Sequence, residues 1–189
     1  SNICTAQVLL ANMASMYAVY HGPVGLKNIA ERIHTLTHTL AIGLQKLGYQ
    51  VLSQDYFDTL TIKTDKANSI FNAAEKMNIN FFKKENSLSI SLNEKTTLHD
   101  VENILLAFNQ GQNLTFKTQD LIAQIKDYSF ANSFTRKSKY LTHPVFNTHH
   151  SETELLRYIH SLQNKDLTLT HSMIPLGSCT MKLNATTEL

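Results

Sequence analysis

Between Leu26 and Leu47 an apolar side chain returns at every third or fourth position: Leu26, Ile29, Ile33, Leu36, Leu40, Leu44 and Leu47. That spacing draws one stripe along an α-helix, so a long helix is expected from about Pro23 to Leu47, with a stripe that must find a partner surface. Gly48 closes it. Just upstream, residues 5–20 (TAQVLLANMASMYAVY) contain neither Gly nor Pro and are apolar around most of a helical circumference. They predict another helix, buried or clamped between neighbours. His21-Gly22-Pro23 divides the two, because Gly accepts the left-handed cap and Pro has no N–H to continue the ladder.

After Gly48 the period changes. Tyr49 to Ser53 and Thr59 to Thr64 read as short strands, the second alternating Leu60 and Ile62 with threonines. Asp65 is the expected N-cap of a helix to Met77 that buries Ile70, Phe71, Ala74 and Met77. Ile79 to Phe82 and Leu88 to Leu92 read as strands around a polar turn from Lys83 to Ser87. Thr97 with Asp100 three residues on resembles a capping box, opening a helix that buries Leu98, Val101, Leu105 and Phe108. The succession predicts an α+β fold, an antiparallel sheet of three or four strands with helices packed on one side. Residues 110–150 are polar and loop-rich, with one helix expected from Thr118 to Tyr128. Ser151 and Glu154 form an S-x-x-E capping box for a helix with the stripe Leu155, Leu156, Ile159 and Leu162. The tail beyond Asp166 has no helical period and reads as the opening of a further domain. Ser1 and the stretch ending at Leu189 both read as internal cuts.

Seventeen basic and fifteen acidic residues leave a formal charge of +2. No basic patch for nucleic acid is present, and no apolar run reaches the ~20 residues that span a bilayer. Cys4 and Cys179 match neither Cys-x-x-Cys nor zinc spacing, so a reducing compartment is the default. Among nine histidines, His34 and His38 lie four apart, where two imidazoles can share one ion. They lack the Glu of H-E-x-x-H and flank the apolar stripe, so rim positions are expected and no metal site. His149-His150 precedes a helix cap, where a loop role needs no metal. Common phosphate-loop motifs are absent. In Gly177-Ser178-Cys179-Thr180-Met181-Lys182, backbone N–H groups and an ammonium could hold an anion. Taken as chemistry alone, a polar loop is the simpler reading. Lys182 could activate Cys179 by lowering its pKa; Cys4 reads as a packing residue.

Four segments resemble the glycine decarboxylase P-protein family of the glycine cleavage system. They are residues 1–7 (SNICTAQ), 17–26 (YAVYHGPVGL), 141–147 (LTHPVFN) and 173–184 (MIPLGSCTMKLN), and residues 150–154 (HSETE) with Leu156-Arg157-Tyr158 also fit. They stand in the family's order across nearly the whole chain. The resemblance implies the small C-terminal domain of a fold type I pyridoxal-phosphate enzyme. It makes residues 1–22 the helix leaving the large domain of a first half, and 23–130 that half's small α+β domain. Residues 131–171 become a connector with a helix at about 151–163, and 172–189 the start of the catalytic half.

The family decarboxylates glycine through a pyridoxal-phosphate Schiff base and passes the aminomethyl group to the lipoyl arm of the H-protein. The resemblance places the Schiff-base lysine beyond Leu189. It therefore assigns this chain no catalytic residue, no cofactor-binding residue and no covalently held pyridoxal phosphate. Ser178, Cys179, Thr180, Lys182 and, more weakly, His143 are expected near substrate in the intact enzyme. Expected partners are the H-protein, the remaining domains of the same enzyme and a second copy of the chain, through the apolar faces of residues 5–20 and of the tail. Bacterial cytoplasm is the expected location, or the mitochondrial matrix for a eukaryotic source. The competing readings are the small domain of another pyridoxal enzyme, which would lack the 177–184 run, and a non-catalytic binding or association module.

Overall fold

The computed structural model describes residues 6–52, 55–125, 135–166 and 171. They divide into two units, one of residues up to Val24 with those from Lys139, the other Gly25–Ser138. Helix α1, Ala6–Lys46, belongs to both and is broken at Gly22, whose φ of 60° and ψ of −176° are not helical.

In the larger unit β1 (Thr59–Lys63), β2 (Phe82–Lys84) and β3 (Ser87–Ser91) form an antiparallel sheet in the order β1-β3-β2. Thr59 pairs with Ser91 and Thr61 with Ser89, their hydroxyls meeting at 2.8 and 2.9 Å on one face. On the other face Leu60, Ile62, Leu88 and Ile90 are buried. With one apolar face, the sheet takes all its helices on that side. Leu36, Leu40 and Leu44 of α1 join it there, with Ile70 and Ala74 of α2 (Ala67–Lys76) and Val101, Leu105 and Phe108 of α3 (Leu98–Phe108). The small mixed α and β architecture expected from the periodicities is present, with three strands.

Local chemistry fixes the joints. The Arg32 guanidinium donates to the carbonyls of Glu94 and Thr96, each at 2.7 Å, tying α1 to the loop that leads into α3. At the start of α3 the Asp100 N–H donates to the Thr97 hydroxyl at 3.2 Å, and the Thr97 N–H donates to the Asp100 carboxylate at 2.7 Å. Helix α2 ends in a Schellman motif: Ile79 N–H reaches Ala74 O and Asn78 N–H reaches Glu75 O, with Asn78 at φ 59°. The buried hydroxyls of Thr37 and Thr39 donate to the carbonyls of Ile33 and Thr35, which satisfies them inside an apolar helix. Where α1 meets α3, a Cβ on Gly43 would stand 2.7 Å from both Leu105 methyls, so the two helices come together over a hydrogen atom.

Several expectations need correction. Residues 49–52 contribute one isolated bridge, Val51 to Ile62, rather than a strand; the proposed Ser53 lies outside the described residues. Lys66, not Asp65, is the N-cap of α2, without a side-chain cap; Thr64 Oγ1 accepts from Lys66 N–H instead. Strand β2 runs from Phe82 to Lys84 rather than from Ile79 to Phe82, and pairing of Lys84 with Ser87 leaves only Glu85 and Asn86 for the turn. It is an edge strand, all three residues exposed, with Lys83 Nζ 4.4 Å from the Phe71 ring centroid. Helix α4 covers Thr118–Ala123, and the rest of the expected helix, from 126, falls outside the described residues.

The smaller unit holds a 3-10 turn, Pro144–Asn147, and α5, Glu152–Gln163. The Ser151 hydroxyl accepts from Glu154 N–H, whereas the Glu154 carboxylate pairs with Arg157 at 3.2 Å, so the reciprocal half of that box is redirected. The first arm of α1 is not buried as expected, except at Val19. Leu9, Leu10, Met13 and Tyr17 are exposed, as are Leu156 and Ile159 of α5, because no described residue covers them. Apolar composition created the demand for a neighbour without supplying one.

Two measurements check this account. Gly43→Val should cost about 1–3 kcal/mol by overpacking against Leu105, read as a lower urea midpoint at unchanged slope. Thr97→Ala should cost about 1 kcal/mol. The Thr97 hydroxyl, and then its backbone N–H, hold the Asp100 carboxyl below its ordinary value. This stabilisation is present above the unfolded carboxyl value and is lost as pH falls through the folded one. Thr97→Ala should therefore flatten the acid limb of stability below about pH 4.

Candidate functional site

Ser178, Cys179, Thr180 and Lys182 lie outside the described residues. His143 is described, and its surroundings follow from the local sequence. Pro144 opens the 3-10 turn, where a missing N–H costs nothing. Val145 N–H donates to His143 Nδ1 at 3.2 Å, making His143 the N-cap. A ring nitrogen that accepts carries no proton, so the neutral imidazole keeps its proton on Nε2, and the side chain is exposed. Asn147 Nδ2 donates to the carbonyls of Leu141 and His143 at 3.0 and 3.1 Å. Leu141 has φ 48°, a left-handed conformation uncommon for leucine. The Asn147 amide thus braces a strained backbone two residues before His143.

This turn packs against the break in α1, inside the same unit. Gly22 ends the first arm, and Pro23 has no N–H to offer Val19 O, so carbonyls near the break need other donors. His150 Nδ1 lies 2.7 Å from Tyr20 O, across 130 residues of sequence. Beside it, a Cβ on Gly22 would fall 2.6 Å from both His150 Cε1 and Phe146 O. Gly22 is therefore required twice, for its positive φ and for the approach of the turn. The Tyr140 hydroxyl donates to Pro23 O at 2.6 Å. His21 lies against Tyr17 and Tyr20, with ring centroids at 4.4 and 5.1 Å. His149 stacks on Tyr158 at 4.4 Å, and its Nδ1 is enclosed with no hydrogen-bond partner among the described residues. The structure thus joins two motifs that the sequence presented separately, and it gives His150 a long-range bond that local spacing cannot announce.

A second group of titratable side chains lies in the larger unit. His34 Nδ1 is 3.0 Å from Phe57 O, and His38 Nδ1 is 2.7 Å from the Tyr56 hydroxyl. Both rim histidines tether the segment entering β1 to α1. Among the described residues, no three of His, Cys, Asp and Glu gather in a way that could hold a metal ion, and no helix is long and apolar enough to cross a membrane.

The fold is thus an α+β domain joined through a broken helix to a histidine-rich turn, and comparison with known proteins places it. The family model of the glycine cleavage system P-protein matches residues 1–108. A glycine dehydrogenase (decarboxylating) of Bdellovibrio bacteriovorus is 62% identical over all of this chain. Proteins of that name from Arabidopsis thaliana, mitochondrial, and from Vibrio cholerae are each 54% identical, again over all of it. The chain belongs to the glycine cleavage system P-protein family. It spans 20% of the length of the Bdellovibrio relative and 18% of the Arabidopsis one.

Burial, and after it the charge of His34, holds the His38 imidazole below its ordinary value of 6.5, while burial raises the Tyr56 phenol. A histidine with a lowered folded pKa binds fewer protons folded than unfolded, so stability rises with pH across that window. The contribution is complete above about pH 6.5 and is lost as pH falls from there through the folded value. Denaturation between about pH 7.5 and 5.5 (one pKa unit either side of 6.5) should show this slope, and His38→Leu should make it shallower.

Proposed function

We propose that this chain is part of a glycine dehydrogenase (decarboxylating), an enzyme that removes the carboxyl group of glycine as carbon dioxide and passes the aminomethyl group to the lipoyl arm of the H-protein. The observation carrying this reading is the 62% identity along the whole chain to a protein of that name, joined to the family match. Bacterial cytoplasm is the location favoured, since the Bdellovibrio relative is more similar than the mitochondrial plant ones.

Within that enzyme we read residues 1–22 as the helix leaving a large domain and 23–130 as a small domain of fold type I. Residues 131–171 are then a connector, and 172–189 open the catalytic half. The one-faced sheet with its helices on a single side, and the break at Gly22, support this division. The family implies pyridoxal phosphate, whose ring acts as the electron sink for decarboxylation. Every described lysine is exposed, which supports placing the Schiff-base amine elsewhere, since such an amine needs an enclosed site. We therefore assign the cofactor to the rest of the polypeptide. To this chain we assign the substrate-proximal Ser178, Cys179, Thr180 and Lys182, with His143 presenting an Nε2–H donor. The exposed apolar stripe on α1 supports further contacts with the remaining domains or with a second copy.

The test is made in the full-length enzyme. Ser178→Ala and Lys182→Met should each lower glycine-dependent exchange of labelled bicarbonate by roughly tenfold or more. Unchanged exchange and unchanged cofactor affinity in both variants would overturn the assignment.

A further inference from the structure

We propose that His150 is a positioning residue for His143, acting on it through the 141–150 turn; the inference rests on the reading of His143 as substrate-proximal. Two independent contacts converge on it. Its Nδ1–H donates to Tyr20 O at 2.7 Å, capping a carbonyl near the broken end of the first arm of α1. Its Cε1 also fills the notch over Gly22, where a Cβ would lie 2.6 Å away. Phe146 O lies against the same notch at the same distance, so the 3-10 turn and the imidazole are seated together on one backbone position. The seat is specific to shape: a side chain at Gly22 would displace both.

The hydrogen bonds carry this constraint back to His143. Asn147 follows Phe146 and donates to the carbonyls of Leu141 and His143, while Val145 N–H donates to His143 Nδ1. His143 can therefore turn its ring only by breaking its own cap. With the turn seated on Gly22, the exposed Nε2–H points from a fixed place. A donor so fixed would hold an anionic oxygen, such as a substrate carboxylate, without ordering a loop at the moment of binding.

The experiment uses a full-length family member carrying this chain, loaded with its cofactor. His150→Leu removes the donor, whereas His150→Asn keeps an amide nitrogen near the position of Nδ1. His150→Leu should lower kcat/KM for glycine by roughly tenfold to a hundredfold, and His150→Asn should recover most of it. Once His143→Leu is present, adding His150→Leu should cause little further loss, because both changes act through one group. Hydrogen exchange should accelerate across 141–150 in His150→Leu alone, with the peptides of α2 and α3 unchanged. Equal loss in the Leu and Asn variants, or losses that multiply in the double variant, would overturn the positioning role. If His143→Leu alone leaves glycine turnover intact, the reading of His143 fails, and the proposal with it. If His143→Leu is impaired while His150→Leu is not, only the proposal fails.

Discussion

Leu40 and Leu44 of α1 have no exposed surface, and neither do Leu60, Ile62 and Leu88 on the facing side of the sheet. Removing such side chains from water contributes roughly 1.5–3 kcal/mol each, and the rest of the larger unit is arranged around that contact. The sheet can bury only one face because the opposite one is a ladder of threonine and serine hydroxyls. Helices α2 and α3 must then share the covered side with α1, and α3 comes close to α1 because Gly43 leaves room for Leu105. The Arg32 fork and the Thr97 cap hold the connections that this crowding creates.

Where a signal is local, the sequence carries it well. The spacing from Leu26 to Leu47, the alternation at Leu60 and Ile62, and the Thr97–Asp100 pair each depend on neighbours a few residues away, and each has its expected counterpart. Errors arise where long-range pairing decides. Val51 has strand-like composition but meets β1 at only one bridge. Phe82 starts its strand late, its first pairing being with Ser89 of β3. One error is local: Asp65 is a fair cap by residue type, yet its neighbour Thr64 accepts from Lys66 N–H. The apolar first arm of α1 is exposed for a related reason: periodicity tells what a helix requires, not what lies beside it.

The site divides along the same line. His143 could be picked from a motif, and its cap is a two-residue affair. The role of His150 could not, because its partner is a backbone carbonyl 130 residues away, and carbonyls leave no mark in a sequence. Gly22 is legible as a helix breaker; its second duty, leaving room for Phe146 O and His150, is visible only in three dimensions. His34 and His38 show the converse hazard. Their four-residue spacing suggests an ion, yet their Nδ1 atoms face a carbonyl and a phenol.

Strand β2 is an edge of the sheet, and among the described residues its outer side pairs with no strand, the kind of edge that can template a passing strand. Lys83 and Lys84 stand there, one ammonium over Phe71 and the other over Phe82. A like molecule joining edge to edge would bring four ammonium groups onto one short ribbon with no acid on either strand to neutralise them. Both side chains are exposed, with their ammonium groups held near the ring faces by cation–π attraction. Neutralising both amines, as acetylation does, would lower the electrostatic barrier to such edge-to-edge pairing.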